Sequence, residues 1–195
     1  MNFQTTRRDW YAGSVFVALL WLAQGASASA EEQAAAPVTA KHQVTGLFSR
    51  DREADLKEAF DKIPTIKLMG IDYDNAEVTV EYEMSKAFPG AKPEEVVEHF
   101  DNLLKGASTH TFGVKPLRTT PMDQLTLVEI PIFGLDCKAC CLAAYEIVYK
   151  LEGVERATAS FRDGKMTALI DPKKTDRAKL EAALTAREVQ ITPPE

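Results

Sequence analysis

Cysteine is scarce in this chain of 195 residues, and its three cysteines all lie within five positions, at Cys137, Cys140 and Cys141. A closed structural zinc site needs four ligands, which usually come from two close cysteine pairs. Only one Cys-x-x-Cys pair is present, so a closed zinc site of that kind is excluded. No cysteine lies near the N-terminus, so nothing there indicates a lipid anchor.

Histidine is scarce as well, and negative charge exceeds positive charge. The chain has 23 Lys and Arg against 29 Asp and Glu, a net charge of −6, and it has no basic stripe, so nucleic acid is not an expected partner. His42, His99 and His110 show no close ligand spacing and are interpreted as ordinary surface or half-buried residues. Because Gly-rich phosphate loops and nucleophile elbows are also absent, we expect a protein that is not an enzyme.

The N-terminus has the pattern of an export signal. Arg7 and Arg8 precede an apolar run over residues 12–23, and the small residues ASASA follow it. This order predicts a cleaved secretory signal peptide over residues 1–30. The alternative, a membrane anchor, needs roughly 20 apolar residues, more than this run contains. We therefore expect a periplasmic or secreted protein that is not integral to the membrane once processed.

An offset of 88 residues relates two parts of the chain without a gap for over thirty residues. It sets Gly46-Leu47 against Gly134-Leu135, and it places Asn75-Ala76 and Asp163-Gly164 at the same predicted hairpin turn. The apolar periodicity of each part predicts the order strand, helix, strand, strand, helix, strand. We therefore predict an α+β protein with the ferredoxin-like βαββαβ plan, in two tandem copies after the signal peptide.

The predicted organisation has four segments after the signal. They are a flexible lead over 31–40, a domain without cysteine over 41–118 (the first half), a linker over 119–124, and a domain over 125–195 (the second half). A short strand at 187–191 is predicted to close the second half. Under the offset, the three cysteines stand opposite Ser49, Arg52 and Glu53, so the first half has the scaffold without the thiols.

The Cys-x-x-Cys pair is predicted to lie where a strand ends and a helix begins. Helix amides and the positive end of the helix dipole favour the thiolate form, which binds metals and attacks disulfides. Residues three apart at a helix start can direct two sulfurs at one point. Two thiolates suit a soft ion of low coordination number such as Cu(I) or Hg(II), and a half-open site suits a carrier that must release its ion.

The stretch GLDCKACCLAAYEIVYKLEGVERATASF, residues 134–161, resembles the heavy-metal-associated domain family, whose signature is Gly-Met-x-Cys-x-x-Cys, a helix, then Leu-x-Gly-Val. The resemblance covers about 70 residues of the second half. It implies a ferredoxin-like fold with Cys137 and Cys140 as metal ligands. It also implies a carrier like the mercury-binding and copper-carrying members, whose partners are a metal ion and a metal transporter or other metal-accepting protein.

Three positions shape that expectation. Leu135 replaces the signature Met, a conservative packing change. Asp136 resembles the Asp-Cys-x-x-Cys form of zinc, cadmium and lead pumps, and a carboxylate ligand favours Zn(II) or Cd(II), although Asp136 could equally serve turn or helix N-terminal chemistry. Cys141 is interpreted first as a small core residue, then as a third soft ligand, then as an oxidised or intermolecular thiol.

Three functions follow as hypotheses. The leading one is an exported protein that captures one soft or borderline ion, Cu(I), Hg(II), Zn(II) or Cd(II), through Cys137 and Cys140, with Asp136 and Cys141 as possible additional ligands. The second is thiol–disulfide exchange, because Cys-x-x-Cys after a strand also fits a redox motif. The third is a structural or interaction module in which the cysteines are incidental.

Overall fold

The computed structural model describes residues 36–193, so the predicted signal peptide and residues 31–35 of the predicted lead lie outside it. The first half contains four strands and three helices. They are β1 (Val38–Thr45), α1 (Arg52–Asp61), β2 (Ile66–Asp72), β3 (Glu77–Tyr82), α2 (Met84–Ala87), α3 (Val96–Ala107) and β4 (Gly113–Lys115). The strands form one antiparallel sheet in the order β2-β3-β1-β4.

The second half contains three strands and two helices. They are β5 (Thr126–Pro131), α4 (Lys138–Tyr149), β6 (Val154–Ser160), β7 (Lys165–Ile170) and α5 (Arg177–Thr185). The strands form a second antiparallel sheet in the order β5-β7-β6. The α+β class with antiparallel sheets is confirmed, whereas the derivation of both halves from one repeated unit stays a prediction.

The predicted strand at 187–191 is wrong, because only a single bridge between Phe133 and Gln190 forms there. Glu188 has a φ of 61°, which turns the chain just before the bridge. Pro193 follows within three residues of Gln190 and has no N–H to donate to a ladder. The strand therefore has no room to extend in either direction.

The offset of 88 residues reappears in the element boundaries. It carries β2 onto β6 and β3 onto β7 residue for residue. The hairpin turns also match, since Ala76 and Gly164 have φ values of 53° and 59°. The last helices do not follow the offset, because α2 and its flanking loops add residues only in the first half.

The start of the first half differs from the prediction. β1 begins at Val38, and residues 38–40 pair with β3, so the predicted flexible lead over 31–40 ends in strand. The apolar pairs Val38–Tyr82 and Ala40–Val80 give these residues a place in the sheet.

Each sheet buries one face against its helices. In β3 and β7 every second residue is buried, as expected for a strand with one face on a core. The first core is rich in aromatic residues, including Phe60, Phe88, Phe100 and Phe112. The second core is built mainly from aliphatic and small residues. It also contains Phe48, an aromatic residue that comes from the first half.

Within residues 36–193 the two halves belong to one compact unit. The first half covers the edge strand β6. Phe48 is 2% exposed, and its carbonyl accepts the N–H of Ala159 at 3.1 Å. The Gln43 side chain donates to the carbonyl of Glu155 at 3.0 Å. An unpaired strand edge is a site for unwanted pairing, and these contacts cover part of it. Within residues 36–193, no helix combines the length and the apolar character needed to cross a bilayer.

Candidate metal centre

The connection from β5 to α4 places the cysteines at a helix start. Gly134 has a φ of 72°, a conformation that favours glycine, and it turns the chain after the strand. Cys137 is the N-cap of α4, with extended φ and ψ of −139° and 158°, and its sulfur accepts the N–H of Cys140 at 3.1 Å. The sulfur therefore lies against free helix amides, which favour negative charge.

Three potential ligand atoms meet at this helix start. A carboxylate oxygen of Asp136 and the sulfurs of Cys137 and Cys140 all lie within 4.8 Å of one another. Cys140 Sγ is 3.8 Å from Asp136 Oδ1. Asp136 and Cys137 are exposed and Cys140 is half-buried, so an ion or a partner thiol can reach the cluster from solvent. Within residues 36–193 this is the only group of three such ligands.

Cys137 and Cys140 form a disulfide, with their Cα atoms 5.2 Å apart. In this oxidised form neither sulfur is a thiolate, so metal binding requires reduction by two electrons. Two sulfurs that each lie 2.3 Å from a tetrahedral ion would be about 3.8 Å apart. Cys137 is the N-cap of α4 and Cys140 lies three positions later in its first turn, so both sulfurs project from the same helix start.

Cys141 lies apart from this cluster. It is 1% exposed and packs in the second core. Burial raises the pKa of its thiol, which keeps the sulfur protonated and a poor metal ligand. Successive helix residues point about 100° apart, so Cys141 faces the core while Cys140 faces the cluster. Of the three interpretations of Cys141, this placement is that of a core residue.

Lys138, between the two cysteines, contacts the first half. Its ammonium lies 3.1 Å from Asp51 and 4.0 Å from Asp55. The pKa of Asp51 is lowered, chiefly by the hydrogen bond from Ser49; burial opposes this, and the contact with Lys138 lowers the pKa further. Local sequence patterns do not indicate these two carboxylates as partners of Lys138. They are 83 or more positions from Lys138, and acidic residues in a first helical turn are too common to indicate a distant partner.

A groove of about 340 Å³ runs beside Cys140. Leu135, Ala143, Ile147 and Val189 give it apolar walls, and Arg187 lies at its rim together with Glu188. The C-terminal segment that failed to form a strand thus lies next to the metal-ligand candidates. Leu135, which stands at the signature Met position, packs partly buried against the second core.

The histidines take no part in the cluster. The prediction that His42 is a surface or half-buried residue is wrong, because its side chain is 7% exposed and meets the ring of Phe100 edge-on at 5.1 Å. Burial lowers the pKa of His42, so it is neutral at neutral pH. His99 and His110 are exposed.

Comparison with known proteins finds similarity to solved structures and no matching family. No family model and no curated protein matches the chain. Oxidised MerP from Ralstonia metallidurans CH34 is a similar solved structure, with 25% identity over 33% of this chain and 90% of its own, at a TM-score of 0.32. Two structures of Bacillus subtilis CopA, the water-soluble region of this P-type ATPase and its N-terminal soluble domains, are each 16% identical. They match 80% of this chain and 90% and 92% of their own, both at a TM-score of 0.32. Such scores do not establish a common fold, so the functional conclusion depends on the site.

Proposed function

We propose that this chain is an exported, soluble protein that binds a heavy-metal ion as a carrier or scavenger. The observation that carries the proposal is the convergence of Asp136, Cys137 and Cys140 within 4.8 Å at an exposed helix start. Two sulfurs and one carboxylate make an incomplete site, which can take an ion up and release it. A closed structural site, by contrast, would hold the ion permanently.

Capture follows reduction of the disulfide. A dithiol reductant converts the Cys137–Cys140 disulfide to two thiols by thiol–disulfide exchange and itself becomes a disulfide, and ion binding then displaces the thiol protons. The N-terminal amides of α4 stabilise the thiolates as the protons leave, because the sulfur of Cys137 already accepts the N–H of Cys140. Uptake should therefore weaken as pH falls, and each bound ion should release up to two protons.

The ligand set narrows the choice of ion. Two soft sulfurs alone suit Cu(I) or Hg(II), which accept two-coordinate sites. The Asp136 carboxylate is a hard ligand that Zn(II) and Cd(II) also use, and it lies 3.8 Å from Cys140 Sγ. If Asp136 is a ligand, Asp136→Asn should weaken Zn(II) and Cd(II) binding more than Cu(I) or Hg(II) binding.

The wider setting belongs to the same proposal. The positively charged and then apolar N-terminal sequence supports export to the periplasm or outside the cell, and it implies a mature protein free of the membrane. The element boundaries that repeat at an offset of 88 residues support two tandem ferredoxin-like units. An exposed ion site also implies a metal transporter or another metal-accepting protein as the recipient. Cell fractionation with N-terminal sequencing of the mature protein tests the export step.

The metal-binding step is tested by native mass spectrometry of the fully reduced chain with Cu(I), Zn(II), Cd(II) and Hg(II) in competition. We expect one ion per chain, lost in both Cys137→Ser and Cys140→Ser. Cys141→Ala is the matched control, because it removes a thiol from the same helix without touching the cluster. Metal retention in both serine variants, or equal loss in the control, would contradict the proposal.

The disulfide favours one second candidate, thiol–disulfide exchange. A substrate thiolate could attack Cys137 or Cys140, form a mixed disulfide with that sulfur and release the other as thiolate. The exposure of Cys137 allows such an approach. Catalysed reduction of a model disulfide by the reduced chain, with no metal uptake, would favour this candidate over the carrier.

A further inference from the structure

We propose that the first half is a built-in positioning element for the metal site, which holds helix α4 along one side and so fixes the turn that carries Cys137 and Cys140. The inference rests on the proposed metal-binding function. It assigns a role to the half of the molecule that has no cysteine, and the role acts through contacts outside the ligand cluster.

The contacts follow one side of α4 from its first turn to its last. Lys138 meets Asp51 at 3.1 Å, as described above. The hydroxyl of Tyr145 accepts the backbone N–H of Gly46 at 2.9 Å in a buried hydrogen bond. Lys115 lies over the ring of Tyr149, 4.9 Å from its centroid. These helix residues are spaced by seven and four positions, so they lie on one side of α4.

The ligand cluster lies on the other side of the same helix. Cys140, Ala143 and Ile147 line the open groove, to which the first half contributes no residue. The first half therefore contacts α4 along one side and leaves the sulfurs uncovered. An ion or a partner can approach from the groove side, while the first half contacts the opposite side of the helix.

The loop over residues 46–51, which contacts α4, is itself fixed by buried contacts. Phe48 is buried in the second core, and its carbonyl accepts the N–H of Ala159 at 3.1 Å. Gly46, two residues before it, is held by Tyr145. Asp51, three residues after Phe48, is held by Ser49 as well as by Lys138. The carboxylate that meets Lys138 thus projects from a loop fixed at two buried points.

Fixing α4 matters because helix ends are the first part of a helix to fray. A metal site built on a frayed turn must order that turn when the ion binds, and the ordering cost subtracts from affinity. If contacts of the first half fix the first turn of α4, that turn is already ordered when the disulfide opens. Contacts of the first half should therefore raise metal affinity even though none of its residues is a ligand.

The test compares two tyrosines on α4. Tyr145→Phe keeps the ring and leaves the buried N–H of Gly46 without its partner. Tyr149→Phe keeps the ring that lies under Lys115 and removes only a hydroxyl that makes no hydrogen bond within residues 36–193. In the full-length mature chain we expect Tyr145→Phe to weaken ion binding about fivefold. We expect Tyr149→Phe to leave the dissociation constant unchanged.

A second comparison uses exposed carboxylates. Asp51→Asn removes the nearer of the two carboxylate partners of Lys138 and should weaken binding about twofold. Asp74→Asn removes the partner of Arg50 inside the first half and should have no effect. Asp51→Glu should restore wild-type affinity, which a general loss of stability would not explain.

Amide hydrogen exchange separates positioning from stability. We expect the N–H groups of Cys140 and Cys141 to exchange faster in Tyr145→Phe and Asp51→Asn, with strand β3 unchanged. Equal affinity and equal exchange in the test and control variants would overturn the inference. If the wild-type chain binds no ion, the proposed function fails, and the exchange data together with the disulfide equilibrium against glutathione still decide whether the first half positions α4.

Discussion

The loops at residues 46–51 and 134–139 stand at equivalent points of the two halves, yet they differ in what they contact. The first enters the neighbouring half, where Phe48 is buried and Gly46 and Asp51 hold α4. The second remains at the surface, where Asp136 and Cys137 are exposed. Equivalent loop positions on similar scaffolds thus provide a docking contact in one half and a cluster of potential metal ligands in the other.

The cores of the two halves also differ in which residues fill them. The first core has its own aromatic residues, among which Phe88 and Phe100 lie 6.1 Å apart. The second core contains Ala144, Ala157 and Ala168 at fully buried positions. Small residues leave volume that must be filled, and Phe48 from the first half fills part of it beside Tyr145, at 5.8 Å between ring centroids. The second half therefore depends on the first for packing.

The largest expected effect tests that dependence. Phe48→Ala should destabilise the chain by about 3–5 kcal/mol, because it leaves a cavity in the second core. Phe161→Ala is the control, since Phe161 is 42% exposed and should cost far less. Urea unfolding followed by circular dichroism measures both. Similar losses for the two variants would show that the second core does not need Phe48.

The two equivalent glycines give the next largest difference. A Cβ on Gly46, at a φ of 85°, would lie 2.0 Å from the carbonyl oxygen of Thr111, whereas on Gly134 the nearest atom is 3.7 Å away. Gly46→Ala should cost about 2–4 kcal/mol from strain and overlap together. Gly134→Ala should cost about 1–2 kcal/mol from strain alone. Thermal unfolding of both variants measures the two losses of stability. Equal losses would mean that the two loops tolerate a Cβ atom equally well.

Restoring the cysteine pattern in the first half sharpens the comparison further. Ser49→Cys with Arg52→Cys recreates the spacing, but Arg52 is 13% exposed and lies over the rings of Phe48 and Phe112. We expect a loss of about 1 kcal/mol, and an ion count that stays at one per chain, because the loop is docked. Native mass spectrometry gives the count. A second bound ion would show that the thiols alone make a site.

The smallest effect concerns pH and only the first half. Burial lowers the pKa of His42, so the unfolded chain takes up a proton before the folded chain does as pH falls through 6.5. The contribution of His42 to stability is complete above that pH and declines below it. His42→Leu should reduce the loss of stability between about pH 7.5 and 5.5, and exposed His99→Gln should not. Denaturant midpoints at the two pH values measure the difference, and identical pH slopes in wild type and His42→Leu would contradict it.

Much of the secondary structure was predictable from local patterns. The strands 154–160 and 165–170 lie within the stretches in which apolar residues alternate, and the turn between them lies at Asp163-Gly164. The helix start at Cys137 agrees with the predicted strand–helix junction. Such features depend on neighbouring residues, whose spacing along the chain is visible.

Other features were missed or placed wrongly because they depend on distant residues. The strand predicted at 187–191 became one bridge, since a left-handed turn at Glu188 and Pro193 confine it. Phe48 was assigned to the first half, yet it packs in the second core. An apolar residue shows that it should be buried, but its own sequence environment does not show which core will bury it.

The spacing of Cys137 and Cys140 and the helix signal after them were enough to indicate a pair of sulfurs at a helix start. Local chain geometry brings such close neighbours together. Long-range packing alone decided that Gly46 and Asp51 would contact α4. These contacts join residues from different halves, and they exist only because Phe48 and the β6 edge bring the two halves together.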